Sequence, residues 1–310
     1  MQFPGFSDHD FDAYVEHKWQ SNVFNRERLE VKEKLLALGR ALAPSLQSGD
    51  GSLLLCEVSA EHPAIWNQHR VPNQCLFFSR NLETRRELDT IISRRRTIAA
   101  LIEDPSPLRN HIFLSVQIDR FAVELGVKLH TDASVDRENL QRKCQDYFVR
   151  EKLLHLIHDL PADFSVGIQG KSETPAHDLD DEGLQQLIQD LPAASSWLHV
   201  RRPIPRDDPR LRDPAFVEIA RELLRDSLLP VMTFIAWTRE NDFVSMRDTL
   251  KRREIEQKSK GLTKHDQVRV VRGPFSGRTG QVQEIDAKGA VKVALGTLAV
   301  KLNGTDVVKV

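Results

Sequence analysis

The chain has few cysteines, little aromatic content and almost no net charge, and each shortage argues against a class of protein. Its three cysteines, Cys56, Cys75 and Cys144, are odd in number and far apart, so they do not predict the disulfide framework of a small secreted domain. They favour a reducing, cytoplasmic compartment. A formal net charge of −1 argues against a protein that coats nucleic acid along its whole length.

Long apolar runs and catalytic signatures are also missing. No run reaches the roughly 20 apolar residues that a membrane-spanning helix needs, and the start of the chain lacks a basic segment followed by an apolar one. There is no phosphate-binding loop, dinucleotide fingerprint or nucleophile elbow. His155 and His158 have a spacing that permits a shared metal, but no third ligand is recognisable. We therefore expect no membrane contact, no metal and no cofactor, and a function without catalysis.

Hydrophobic residues make up 40% of the chain, which is enough for a proper core, and their spacing predicts a large mixed domain. Helical periodicity and helix-capping signals indicate helices within 7–44, 81–103 and 134–160. Apolar or alternating stretches predict strands near 53–58, 74–79, 111–118, 121–129, 164–168 and 197–200. Because helices and strands are interspersed without a strict alternation, the predicted class is α+β.

The second half of this domain predicts two more helices and an end. Asp213-Pro214 has the preferred order for a helix start, and Pro230 is expected to break that helix before another over 231–256. From residue 251 onward the sequence is highly charged and has few apolar side chains, which is typical of a boundary. We predict an α+β domain over 1–250, a charged connector over 251–263 and a small domain over 264–310.

The small domain shows tight alternation punctuated by glycine. Val268 and Val270 alternate with Arg269, which predicts a strand. A turn is predicted where proline fixes φ and glycine accepts positive φ, at Gly273, Pro274 and Gly277, and another glycine follows at Gly280. Apolar alternation resumes within 291–295, 298–302 and 307–310, separated by the turn signals Lys288-Gly289 and Asn303-Gly304. The pattern predicts the short strands of a small β-barrel.

With this loop, this glycine and this strand spacing, the segment resembles a KOW module, the small SH3-like barrel of NusG-type elongation factors and several ribosomal proteins. The resemblance implies that Gly280 is the family's characteristic glycine and that the partner is RNA, a ribonucleoprotein or RNA polymerase. From Lys264 onward there are eight Lys/Arg and four Asp/Glu, a surplus that suits phosphate. Such a surplus is also common on small soluble barrels, and several KOW modules bind protein. The expected contact residues are Arg269, Arg272, Phe275, Arg278 and Lys292.

A second basic patch is predicted in the Pro- and Arg-rich segment 201–212, at Arg201, Arg202, Arg206 and Arg210. The planar guanidinium group donates two parallel hydrogen bonds to a phosphate, which favours a nucleic-acid contact. The same side chains could instead form ion pairs with nearby carboxylates such as Asp207 and Asp208. The sequence leaves both interpretations open.

A rival hypothesis is an enzyme whose active site lies in the α+β domain, with the barrel only as a docking module. It requires a convergent set of His, Asp or Glu in a pocket, which the sequence does not locate; Glu57 stands alone on its strand. The segments Phe3-Pro4-Gly5-Phe6 and Phe78-Ser79-Arg80-Asn81 resemble the bacterial YktB-like domains. That resemblance implies an α+β fold and no particular activity.

Overall fold

The chain forms two compact units, Met1–Val244 and Ser245–Val310. A computed structural model describes residues 2–47, 51–92, 109–194, 196–245, 262–285, 290–296 and 298–310. Helices pack against a seven-stranded sheet in the first unit, and a five-stranded sheet forms the second, so the predicted α+β class is confirmed. Within the described ranges, no helix has the length and apolar character needed to cross a bilayer.

The first unit is built on a seven-stranded sheet whose neighbouring strands are all antiparallel. In chain order the strands are β1 Leu55–Val58, β2 Asn73–Ser79, β3 Phe113–Asp119, β4 Ala122–His130, β5 Ser165–Ile168, β6 Glu173–Pro175 and β7 Trp197–Pro205. Across the sheet the order is β1-β2-β3-β4-β7-β5-β6. The last strand therefore lies between β4 and β5, next to residues far from it in sequence.

The α-helices of this unit supply the layer that covers one face of the sheet. They are α1 Asp8–Asp12, α2 Asn25–Leu42, α3 Leu82–Ile92, α4 Ser134–Lys143, α5 Tyr147–His158, α6 Asp181–Ala194, α7 Phe216–Glu222 and α8 Leu229–Ile235. Helix α2 packs on β1 and β2, and α8 packs on β3 and β4. Apolar side chains of helices and strands share one buried cluster, which is the core of the unit.

Alternation along the strands gives the two faces of the sheet different characters. On β3, Leu114, Val116 and Ile118 belong to the core, whereas Phe113 and Gln117 project from the opposite face. Phe113 forms a small separate cluster with Cys75 and Phe77 of β2 and with Trp197 of β7, and polar and charged side chains line the same face beside them. This face carries the site described below.

Strand β7 is longer than predicted, because Arg201 to Pro205 continue it beyond residue 200. Prolines are unusual there, since proline cannot donate to a sheet ladder. The neighbouring strand β5 pairs with β7 only as far as Arg201. Pro203 and Pro205 lie beyond that point, on a stretch whose partner is β4 alone, and the ladder loses no bond there.

The helices after Asp213 also differ from the prediction. Pro230 does not interrupt the helix. Six residues in π-helical conformation, Leu223–Leu228, join α7 to α8, and Pro230 lies in the first turn of α8. A widened turn accommodates a proline that would otherwise clash with a carbonyl four residues earlier. The helix predicted over 231–256 ends at Ile235, where Asn241 Nδ2 donates to the carbonyl of Phe234 at 3.2 Å.

The second unit is a five-stranded antiparallel sheet with the order β11-β10-β9-β8-β12. Its strands are β8 Gln267–Val270, β9 Thr279–Ile285, β10 Ala290–Leu295, β11 Leu298–Asn303 and β12 Val307–Lys309. Half-buried side chains from β11 and the turn pack against its core. Among the described residues, seven buried side chains form this core: Val268, Val270, Val282, Val291, Val293, Leu295 and Val307. The predicted small barrel-like module is confirmed. The predicted turn at Lys288-Gly289 and most of the connector, 251–261, lie outside the described residues.

Candidate functional site

The turn between β8 and β9 holds its shape through glycine conformations and two backbone hydrogen bonds. Gly273 and Gly277 have φ values of 86° and 89°, in the left-handed region that glycine tolerates best. The N–H of Gly277 donates to the carbonyl of Val270, and the N–H of Val270 donates to the carbonyl of Arg278, both at 2.8 Å. Pro274 lies between the glycines, where it restricts φ. The predicted turn is therefore present, and it fixes the backbone positions of the basic residues around it.

Glycine is needed at position 280 for a different reason, because there is no room for a side chain. It lies on β9, and a Cβ atom at this position would overlap the backbone carbonyl of Ala294 on β10 and the side chains of Leu295 and Val293. The two strands can approach this closely only because residue 280 has no side chain.

Three arginines surround this turn and are called the arginine trio: Arg269, Arg272 and Arg278. All three are exposed, and Arg269 alternates with the buried Val268 and Val270 as predicted. Within the described residues, no ion pair or side-chain hydrogen bond involves any of the three guanidinium groups. Their positive charge is presented to solvent, and no carboxylate in the described part of the chain neutralises it.

The two other predicted contact residues are placed differently. Phe275 is half-buried against the barrel core, so much of its ring contributes to packing the turn. Lys292 is exposed on β10 and lies opposite Glu284 on β9 and Lys301 on β11. On β9, the partner of Lys292 is Glu284 and the partner of Arg269 is Thr279, five residues away. Lys292 is therefore displaced from Arg269 by roughly 17 Å along the strand direction. The Lys292–Lys301 pair, which the sequence analysis missed, follows from hairpin register.

The second predicted basic patch consists of arginines that all have carboxylate partners, here called the paired arginines: Arg201, Arg202, Arg206 and Arg210. Arg201 and Arg202 are on β7, and Arg206 and Arg210 follow it. Arg201 forms its closest ion pair with Glu173 and a second one with Glu124 at 2.5 Å. The closest ion pairs of the others join Arg202 to Asp163 at 2.5 Å, Arg206 to Asp12 at 3.1 Å and Arg210 to Asp208 at 2.6 Å. Their charge is largely balanced within the unit.

A cavity of about 390 Å³ lies on the sheet face opposite the core of the first unit, and the sequence analysis did not find it. Strand β4 contributes Glu124 and Lys128, β7 contributes His199 and Arg201, and Glu173 comes from β6. Phe113 and Trp197 add an aromatic wall, with ring centroids 5.6 Å apart. The convergent His and Glu set that the rival hypothesis requires is therefore present. Among the described residues, no group of three His, Cys, Asp or Glu side chains could hold a metal ion.

Ion pairs hold both carboxylates of this cavity in their charged form. Burial alone would raise the pKa of the Glu124 carboxyl, but the charge of Lys128 and hydrogen bonds from Lys128 and Arg201 lower it below the ordinary value of 4.5. Burial also opposes ionisation of Glu173, and hydrogen bonds from Arg201 and Ser165 lower the pKa of that carboxyl as well. Neither group is a strong base at neutral pH.

The histidine and the cysteine of the cavity are uncharged at neutral pH. Burial is the main reason why the pKa of His199 lies below its ordinary value of 6.5. Its Nε2 atom lies 3.2 Å from Glu173 Oε1 but makes no hydrogen bond. Burial raises the pKa of the Cys75 thiol to about 12, so this thiol is not a reactive thiolate.

Residues 266–294 match the family model of the KOW motif. The matched segment contains β8, the glycine turn, Gly280 on β9 and most of β10. The resemblance seen in the sequence is therefore confirmed for this part of the chain, while the YktB-like resemblance of the first unit stays a prediction. No curated protein matches the chain.

Proposed function

We propose that this protein associates with RNA, either free or within a ribonucleoprotein, through the arginine trio of its KOW module. KOW motifs in general suggest RNA- or ribosome-associated binding, and the match at residues 266–294 carries that suggestion to this chain. The observation that supports the finer proposal is the state of the trio, which is exposed and unpaired in the described structure. An arginine without a carboxylate partner can meet a phosphate without first breaking an ion pair.

The geometry of the turn favours a contact with the phosphate backbone. Two glycines and two hydrogen bonds fix the turn, so the backbone that carries the trio is ordered before binding and the ordering cost on binding is confined to the arginine side chains. Lys292 lies on the exposed face of β10, opposite Glu284 of β9, so the basic surface of the module is centred on the trio. Such a surface gives affinity without reading the base sequence.

A pull-down of the tagged full-length protein, with and without RNase treatment, tests this proposal. We expect RNA or ribosomal components to be captured, and the capture to fall when Arg269, Arg272 and Arg278 are all replaced by Ala. A partner that is RNase-resistant, for example RNA polymerase, and retained by the triple variant would show that the module docks on protein instead.

An enzymatic function in the first unit is the second candidate, because the cavity brings Glu124, Glu173 and His199 together. We rank it lower because both carboxylates are ion-paired, with pKa values lowered, and are poor general bases. His199 is the one neutral base of this set at pH 7.

We also propose that the protein functions in the cytoplasm. All three cysteine thiols, Cys56, Cys75 and Cys144, are free. Reduced thiols persist in a reducing compartment. Fractionation of the cells that make the protein tests this: recovery outside the cytoplasmic fraction would contradict it.

A further inference from the structure

The cavity on the sheet face has the size and the lining of a small-molecule site. Its volume of about 390 Å³ lies within the range of roughly 300–1,000 Å³ that is typical of ligand pockets. Strand register builds it: Phe113 of β3 lies opposite Lys128 of β4, which in turn lies opposite His199 of β7. One row across three strands thus places an aromatic ring, a cation and an imidazole side by side.

The charges of this cavity balance, which decides what kind of ligand it can hold. Lys128 Nζ lies 2.8 Å from Glu124 Oε1 and donates to Gln117 Oε1 at 2.8 Å. Arg201 joins Glu124 and Glu173, donating from Nε to Glu173 Oε2 at 3.0 Å. Two cations face two carboxylates, and His199 is neutral. An anionic ligand would have to compete with internal carboxylates for both cations, so an uncharged ligand is favoured.

The remaining features select for a flat ring with polar edges. Trp197 is half-buried beside the cavity and contacts the rings of His130, at 4.7 Å, and Phe113, at 5.6 Å. Neighbouring side chains therefore hold the indole in place, and it offers a surface for stacking. His199 is only 6% exposed, and its Nε2 atom lies 3.2 Å from Glu173 Oε1 without forming a hydrogen bond. A buried polar atom without a hydrogen bond is costly unless a ligand completes it. Gln169 also lines the cavity.

We propose that this cavity binds an uncharged planar heterocycle of the nucleobase class, which stacks on Trp197 and forms a hydrogen bond with His199 Nε2. The ring belongs either to a free nucleoside or to a base of an RNA strand, and both have the same recognition chemistry. The site lies entirely within the first unit, so it stands independently of the proposed role of the arginine trio.

Calorimetric titration of the full-length protein with adenosine, guanosine, cytidine and uridine tests the proposal. We expect saturable binding of at least one nucleoside and no binding of ribose, which is uncharged but not planar. Replacing Trp197 with Leu is expected to weaken binding about tenfold or more, because stacking on an aromatic side chain supplies much of the affinity. His199→Ala should weaken it as well, whereas Tyr147→Leu, an exposed aromatic outside the cavity, should not.

Thermal unfolding of each variant shows whether it retains the wild-type fold, and the conservative variant Trp197→Phe, which keeps an aromatic surface, should restore most of the binding. An RNA oligonucleotide separates the two sources: Trp197→Leu weakens its binding if the site takes a base of a strand, and leaves it unchanged if the site takes a free nucleoside. The proposal is overturned if no nucleoside binds up to its solubility limit, if inorganic phosphate binds instead, or if folded Trp197→Leu and His199→Ala proteins bind nucleosides normally.

Discussion

The molecule has two arginine-rich regions, and they differ in what the guanidinium groups contact. The paired arginines of the first unit each meet a carboxylate, and Arg201 meets two. The arginine trio of the second unit has no such partner among the described residues. Arginine therefore holds strands and segments together in the first unit, whereas in the second unit it is available to bind an external anion.

This difference shows why arginine content alone does not identify a nucleic-acid surface. A guanidinium group held by a carboxylate must give up that interaction before it can bind phosphate. The paired arginines connect β7 and the segment after it to β4, β6 and the start of the chain, so their loss affects the first unit itself. The following predictions test this division of roles.

The largest effect is expected from Gly280→Val, which should unfold the barrel that carries the trio without changing any charge. A side chain here would overlap the Ala294 carbonyl, and overpacking of this kind costs typically 1–3 kcal/mol or more. The second unit has only seven core side chains among its described residues, so we expect it to unfold. Amide NMR spectra should lose the dispersed signals of this unit, and RNA association should fall with them.

Thr279→Val is the matched control for that variant. Thr279 precedes Gly280 on β9 and is exposed, and valine has the same shape. Its free energy of unfolding should stay within about 0.5 kcal/mol of wild type. A folded Gly280→Val barrel would show that β9 and β10 can separate at this point, contrary to the packing described here.

A smaller effect is expected when one of the paired arginines loses a partner, as in Glu124→Gln. Because the folded-state pKa of Glu124 is lowered, the stability from its ion pairs is fully present above pH 4.5 and is lost as pH falls through the folded-state pKa. The variant should be less stable than wild type by about 1–3 kcal/mol at pH 7, and the difference should shrink below pH 4.5. Urea unfolding at several pH values measures this.

Glu218→Gln is the control for the pH experiment, since Glu218 forms an exposed ion pair with Arg221 within one helical turn. We expect little change at any pH. If Glu124→Gln is as stable as wild type at neutral pH, then the ion pairs of the first unit do not support its fold, and the proposed division of roles is wrong for that unit.

The smallest effect is expected from Asp208→Asn, which removes the charge that Arg210 contacts but keeps an oxygen to accept the N–H of Arg210. The ion pair is exposed, so the free energy of unfolding should change by less than about 0.5 kcal/mol. One freed arginine should raise RNA affinity slightly at most. If RNA affinity instead rises by as much as it falls when the trio is removed, then the absence of a carboxylate partner is enough for an arginine to bind RNA, and the KOW turn is not needed.

The second unit could be predicted from sequence because its signals are local. The alternation of Val268, Arg269 and Val270, the positive-φ glycines and Gly280 all lie within a short segment, and each acts on its near neighbours. Lys301 was missed because its position beside Lys292 depends on the register of β10 and β11 rather than on spacing along the chain.

The cavity of the first unit could not be predicted in this way. Glu124, Glu173 and His199 are separated by many residues, and they meet only because β7 is inserted between β4 and β5. Strand order depends on the tertiary fold, and the alternation of apolar and polar residues along a strand does not predict it. Similarly, the sequence could not show that the pairing of β5 with β7 stops at Arg201, which lets β7 continue through Pro203 and Pro205.

The most direct test of the account compares the salt dependence of RNA binding for two triple variants of the full-length protein. One replaces Arg269, Arg272 and Arg278 with Ala; the other replaces Arg206, Arg210 and Arg212, all of which are ion-paired. If the trio contacts three phosphates of a single strand, its removal should flatten the slope of log K against log salt by about two and weaken binding severalfold or more. The matched triple should keep the wild-type slope. Equal losses in both variants, or an unchanged slope when a folded protein lacks the trio, would contradict the central claim.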